Sequence, residues 1–301
     1  MIVRFIDEHR PEYGVEPIVR ALQATPARIA ASSYYAFKQR PDSARKQRDA
    51  RLKVNLQRIW EENYSCYGAR KLWHAINREP GMEPVARCTV ERLMREMGIR
   101  GIQRRSKRPA TKSADPEACP TVLVEREFTA TEPNTLWVAG ITYVQTIAGW
   151  VYAAFVLDVC TREIVGWQVT NHLRASLAAD ALHMALAARL RAGESVTGLT
   201  HHSDRGVHYR AIRYAETLAE NDVVASVGSK GDSYDNAMAE ALNSVFKAEL
   251  IDRQQWSGLI DVMAATSEWV GWYNQRRLHS SIDYLTPNEV HAQHQPMVLA
   301  A

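Results

Sequence analysis

Apolar positions recur at helical spacing through the first third of this chain and at strand spacing after it. Ile18, Val19 and Leu22 give residues 17–23 an apolar side, and residues 27–39 read as a second short helix. Two short helices joined by a tight turn fit a helix-turn-helix, although a plain helical hairpin reads the same way. Residues 52–62 are amphipathic, and YGARKLWHAI begins another helix. A break at Glu79-Pro80-Gly81 leads to CTVERLMREMG, with Thr89 placed as N-cap and Gly98 as C-cap. That predicts a three-helix unit with basic residues Arg70 and Lys71 at one helix start, either a DNA-binding unit or a spacer.

Past a stretch rich in Pro, Ala, Ser and Thr around 111–120, the pattern becomes β-rich. LWVAGITYV, WVYAAFVLDVC and IVGWQVT are separated by gaps short enough for hairpins. A helix over 176–191, a strand LTHHSD, a helix over 212–221 and a strand over 223–227 follow. A Gly-rich turn then leads to a long helix over 234–250. Three antiparallel strands followed by alternating helix and strand predict the mixed α/β sheet of a ribonuclease H-like fold behind an all-α region.

Composition changes this picture little. The 301 residues contain no run of eighteen apolar residues, and residues 1–10 are too charged for a signal peptide, so a cytoplasmic protein is expected. Four scattered cysteines lack any zinc-like spacing. The net charge of +3 decides nothing, but its distribution does. Seven basic residues stand against Asp42 and Asp49 between Arg40 and Arg58, where DNA contact and a merely solvated face are equally good readings. Six more, Arg100, Arg104, Arg105, Lys107, Arg108 and Lys112, lie between Glu96 and Asp115 without an acid. An acid-free cluster suits a polyanion, which releases counterions on meeting it.

Two carboxylates are distinguished by position. Asp204 closes the strand LTHHSD, and strand ends carry ligands in α/β sheets. Glu240 lies inside the long helix with 35 residues between the two. Asn236, Glu240, Asn243 and Lys247 share one helical face, opposite Tyr234, Met238, Leu242 and Val245. A lone Glu on a polar face is usually just solvated; one beside two Asn, a Lys and a strand-end Asp is a candidate site.

LWVAGITYV, FVLDVCTREIVGW, HHSDRG, SYDNAMAE and WYNQRRLHSSIDYLTP span about 136–287, with YGARKLW and CTVERLM ahead of them. In these stretches the chain resembles the transposase subunit encoded by the second reading frame of the IS-three family of bacterial insertion sequences. These are DDE enzymes related to retroviral integrases. The resemblance places the second catalytic Asp on Asp204 and the Glu on Glu240. The first Asp falls on Gly140, which has no side chain to bridge two Mg²⁺ ions (or Mn²⁺ in their place). Glycine is also a poor strand-interior residue, so no folding reason for it is expected here. Asp158 on the paired strand is read as structural, holding Arg162, although a register slip of one residue decides which face it takes. His201 and His202 read as packed or hydrogen-bonded rather than catalytic. His208 stands where relatives commonly carry Gln.

The resemblance implies nicking at the 3′ ends of the element and transfer of the freed ends to target DNA. It also implies a homo-oligomer on terminal inverted repeats and a partner protein from the upstream reading frame. Because of Gly140, this copy is expected to be catalytically crippled. The alternatives are a non-catalytic DNA-binding regulator, which would poison active subunits, and a ribonuclease H-fold nuclease. The expected organisation is a helical segment over 1–45, a three-helix DNA-binding domain over 46–105 and a basic linker over 106–125. A catalytic core over 126–250 and a helical extension over 251–301 follow. Expected DNA contacts are Arg70, Lys71, Arg104, Arg105, Lys107, Arg108, Asn236 and Lys247.

Overall fold

A computed structural model describes residues 1–103, 130–203, 217–218, 220–227 and 237–295. The chain divides into two compact units, 1–55 and 56–301, with the boundary inside one helix.

The first unit begins with α1 (Ile2–Tyr13), which lies in the helical segment expected over 1–45 but ahead of the two helices read within it. It is followed by α2 (Val15–Leu22) and α3 (Ala31–Gln39). Gly14, at φ 73°, makes the left-handed break between α1 and α2. Ile6, Ile18, Val19 and Tyr34 form the small core, and the Tyr34 hydroxyl donates to Asp7 at 2.8 Å. α4 (Ala44–Glu62) carries the first basic run. Lys46 pairs with Asp42 just ahead of α4 at 2.7 Å and Arg45 with Asp49 within it at 4.0 Å, so part of that run is neutralised locally.

The second unit takes in the end of α4, then α5 (Ala69–Ile76) and α6 (Arg87–Met97), with Leu56, Ile59, Tyr67, Leu72, Ile76, Val90 and Leu93 buried. Gly98 closes α6 in the left-handed conformation, as predicted. Thr89 is not the N-cap: α6 starts at Arg87 behind Ala86. The reason is the pinning of Val85, whose N–H donates to Asn77 Oδ1 (2.8 Å) and whose carbonyl accepts from Trp73 Nε1 (2.7 Å). That fixes where the chain turns into the helix.

A five-stranded sheet forms the rest, from β1 (Leu136–Thr146), β2 (Gly149–Asp158), β3 (Ile164–Thr170), β4 (Thr200–Ser203) and β5 (Val224–Val227). Its order is β3-β2-β1-β4-β5, with β1–β2 and β2–β3 antiparallel and β1–β4 and β4–β5 parallel. Mixed pairing in this order, behind helices, is the ribonuclease H-like arrangement. α7 (Ala175–Arg191) lays Leu177, Ala181, Leu182 and Ala185 on one face of the sheet, against Trp137, Ala139, Ala154 and Val156. The other face receives α8 (Ala237–Glu249) and α9 (Leu259–Gln275). There Phe155 of β2, Phe246 of α8 and Trp269 of α9 meet edge to face, with centroids 4.9–6.2 Å apart.

The C-terminal segment ties this core to the helices before it. Tyr67 Oη donates to the Arg276 carbonyl (3.2 Å) and accepts from Leu278 N–H (2.8 Å), while Trp272 Nε1 donates to Asn63 Oδ1 (3.1 Å). α10 (Pro287–His294) opens with a capping box between Thr286 and Glu289.

Candidate active site

Strand alternation decides what each residue of β1 faces. Trp137 and Ala139 point to the α7 core, so Val138, Gly140 and Thr142 point to α8. Gly140 lies opposite Phe155, and α8 lies directly against it. A Cβ built on Gly140 would meet Ala239 Cβ at 2.9 Å and Asn243 Nδ2 at 3.2 Å. This corrects the expectation that nothing in the fold favours glycine here. With no side chain at 140, the helix has settled against the strand backbone. Asn243 Nδ2 also reaches the Ile141 carbonyl at 3.4 Å.

Glu240 follows Ala239 on α8 and is exposed, so the helix that touches Gly140 also carries the expected carboxylate. Of the expected apolar side of α8, Leu242 and Val245 are buried, Met238 is half-buried and Tyr234 lies outside the described residues; Ala239 and Phe246 are buried as well. β4 ends at Ser203, paired with Ala139, immediately before the level of Gly140. Asp204 lies outside the described residues, as do Asn236, His208, Arg104, Arg105, Lys107, Arg108 and most of the helix expected over 212–221.

Asp158 belongs to the opposite face. It pairs with Trp137, is fully buried, and accepts from Trp137 Nε1 (3.1 Å), Asn134 N–H (2.7 Å) and Thr161 N–H (2.9 Å). Its carboxylate is committed to the end of the hairpin and turned away from Gly140. The structural reading therefore holds, but the expected partner does not. The Arg162 side chain runs instead to Met238 Sδ on α8, and only its backbone N–H donates to the Asp158 carbonyl.

His201 and His202 are buried, His202 Nδ1 lying 2.9 Å from Ser226 Oγ, and burial pushes His201 down to about 4. Such a residue is neutral packing rather than an acid–base catalyst. Arg70 is exposed at the start of α5, while Lys71 Nζ sits 5.2 Å from the Tyr67 ring centroid. Lys247 Nζ lies 4.3 Å over the Tyr143 ring. Tyr143 and Trp150 do not stand out in the sequence. Their diagonal relation across the hairpin becomes visible only once the register is known.

Among the described residues, no group of three or more His, Cys, Asp or Glu side chains could hold a metal ion. The resemblance asks for a carboxylate on β1 bridging two ions. A glycine whose side-chain space is taken by Ala239 and Asn243 does not fit that ligand set.

The sheet order, the helix carrying Glu240 and the preceding helices define an integrase-core protein of ribonuclease H-like fold. Residues 130–233 match the Integrase core domain family, a second family of that description matches 221–287, and an HTH-like domain matches 46–107. The chain is 44% identical over 289 residues to the transposase for insertion sequence element IS629 of Shigella sonnei, covering 94% of this chain and 93% of that one. It is 44% identical over 266 residues to a putative transposase for IS986/IS6110 of Mycobacterium tuberculosis, covering 88% and 95%. It is 30% identical over 288 residues to transposase InsF for IS3A of Escherichia coli K12, covering 95% and 96%. Among solved structures, the HTLV-2 integrase catalytic core domain in complex with magnesium aligns at TM-score 0.39 and 13% identity, over 53% of this chain and 97% of that one. The chain belongs to the insertion-sequence transposases of the IS-three family.

Proposed function

We propose that this chain is a transposase subunit that retains the DNA-handling fold of its family and has lost its own strand-cutting chemistry. The observation that carries the reading is Gly140. It stands on β1 beside the Glu240 helix, offers no carboxylate, and has its side-chain space filled by Ala239 and Asn243. Phosphodiester cleavage in such sites depends on charge stabilisation at the phosphate, and losing one electrostatic element of that kind costs roughly two to three orders of magnitude in rate. Asp158 offers no replacement from the opposite face of the sheet.

In this reading Asp204 and Glu240 are what remains of the site. Arg70, Lys71, Asn236, Lys247 and the linker residues Arg104, Arg105, Lys107 and Arg108 hold DNA. The domain over 46–105 would grip the terminal repeats, the linker over 106–125 would follow the phosphates, and the core over 126–250 would lie at the strand end. A second copy and the upstream-frame protein would complete the assembly on DNA in the cytoplasm. A non-catalytic regulator of the same element shares every one of these features and differs only in consequence. The ribonuclease H-fold nuclease is disfavoured by the match of 46–107 to an HTH-like domain.

Binding and cutting are tested separately. The chain should bind duplexes that end in the element's inverted repeat more tightly than random or RNA–DNA duplexes, and cut none of them. With the upstream-frame protein present, equal binding to all three would sink the reading that this subunit handles element-end DNA, whatever the cutting result.

A further inference from the structure

Tyr143 and Trp150 stand close together on the β1–β2 hairpin, 58% and 49% exposed. Their rings meet edge to face with centroids 5.4 Å apart. Lys247 of α8 brings its ammonium to 4.3 Å over the Tyr143 ring. By alternation Tyr143 belongs to the α7 side of the sheet, and Lys247 reaches it from the α8 side. Among the described residues Lys247 makes no ion pair. The hairpin tip is also held in place: Ile147 N–H donates to the Trp256 carbonyl at 2.9 Å, and Ala148 N–H to the Ser257 carbonyl at 3.0 Å. Two half-exposed aromatic rings on a pinned hairpin, with an ammonium that makes no ion pair among the described residues, make a surface with a definite chemistry.

We propose that Tyr143, Trp150 and Lys247 form a platform on which a base near the end of the element DNA stacks, with Lys247 on an adjacent phosphate. The inference rests on the transposase reading. Its support is placement as well as residue type. Tyr143 lies three residues along β1 from Gly140, about 10 Å at strand rise. Lys247 lies seven residues along α8 from Glu240, again about 10 Å at helical rise. That is roughly three nucleotides of a DNA strand. A strand whose end lies at Gly140 and Glu240 is therefore within reach of the platform. Aromatic rings bind bases of any sequence through their π-faces, and a lysine beside them neutralises backbone charge. A second copy of the chain fits less well as the occupant. A two-fold contact through this patch would bring two Lys247 ammoniums together.

The test uses the full chain and a duplex carrying the element's inverted repeat, with 2-aminopurine at each of the last three nucleotides in turn. Binding should quench the fluorophore at one of those positions. Tyr143→Ala with Trp150→Ala should abolish the quenching and weaken binding of the end by about tenfold, whereas Tyr143→Phe with Trp150→Phe should keep both. Lys247→Ala should retain quenching and lower the log–log salt slope by about 0.9. The rings are half-exposed, and unchanged melting temperatures check that the variants fold. Tight binding without quenching in the parent chain, or quenching that survives the double alanine variant, overturns the platform while leaving the transposase reading intact. Failure to bind end DNA at all overturns both. A double variant altered in oligomeric state but not in DNA quenching makes the patch an interface between copies and overturns the proposal as well.

Discussion

A Cβ on Gly140 would stand 2.9 Å from Ala239 Cβ, closer than side-chain carbons come in folded proteins. The strand and the helix bearing Glu240 have therefore closed to a distance that only glycine allows at position 140. The lack of a side chain at 140 and the packing of the Glu240 helix are one structural fact, because any side chain there requires a neighbour on α8 to shift.

Gly140→Ala should accordingly destabilise the protein by about 1–3 kcal/mol, the usual cost of inserting volume into a packed interior. Ala239→Gly alone should cost about 1 kcal/mol as a helix-interior glycine. Combined, they should cost less than the sum, because the second change makes room for the first. Urea denaturation of the four proteins of this cycle measures the coupling, and strict additivity would show that the helix is free to move away.

A second packing prediction concerns the far end of α8. Arg277 donates two bonds of 2.7 Å to the Glu249 carboxylate, and both groups are buried. Removing one partner strands the other charge, so Arg277→Ala should cost roughly 3–5 kcal/mol. Replacing both with Leu and Met should cost much less. Thermal denaturation that ranks the double replacement as the worse of the two would contradict this account.

Much of this architecture is legible in the sequence. The β-rich run LWVAGITYV and the long helix after the Gly-rich turn are recognisable from residue type and period, and they appear as β1 and α8. The bounds of α1 inside the expected helical segment are not legible, because Arg4, Asp7, Glu8 and Arg10 mask a stripe that buries little besides Ile6. The role of Asp158 hangs on register, and the Trp137–Asp158 pairing settles it. The closeness of Gly140 to Ala239 cannot be read at all, since it depends on how far a helix settles onto a strand once a side chain is gone.

Acid should destabilise the fold through its buried histidines. Burial lowers His201 to about 4, and burial followed by the Arg277 charge holds His279 well below its ordinary value of 6.5. Both are neutral when folded but take a proton near pH 6.5 when unfolded, so the unfolded chain binds more protons below that pH. Their stabilisation is complete above pH 6.5. For His201 it is lost as the pH falls toward 4, on the order of 3 kcal/mol. Unfolding free energies measured from pH 7.5 to 4 should fall, and His201→Gln should flatten the decline. A flat profile in the parent chain would exclude this mechanism.

The basic segment after α6 gives a prediction about DNA. Changing Arg104, Arg105, Lys107 and Arg108 to Ala should weaken binding at all sequences and flatten the salt dependence, by about 0.9 in log–log slope for each phosphate no longer neutralised. Titrations at several salt concentrations measure it, and an unchanged slope would mean that these residues are merely solvated.

If Gly140 has cost this transposase its chemistry while leaving its fold, DNA binding and DNA cutting must separate. Nicking of element-end DNA, with Mg²⁺ or Mn²⁺ and the upstream-frame protein present, tests it most directly. The parent chain should bind the DNA and leave it uncut. Gly140→Asp should restore metal-dependent nicking by at least two to three orders of magnitude, and Glu240→Gln in that background should remove it again. A parent chain that nicks as fast as Gly140→Asp would contradict the account.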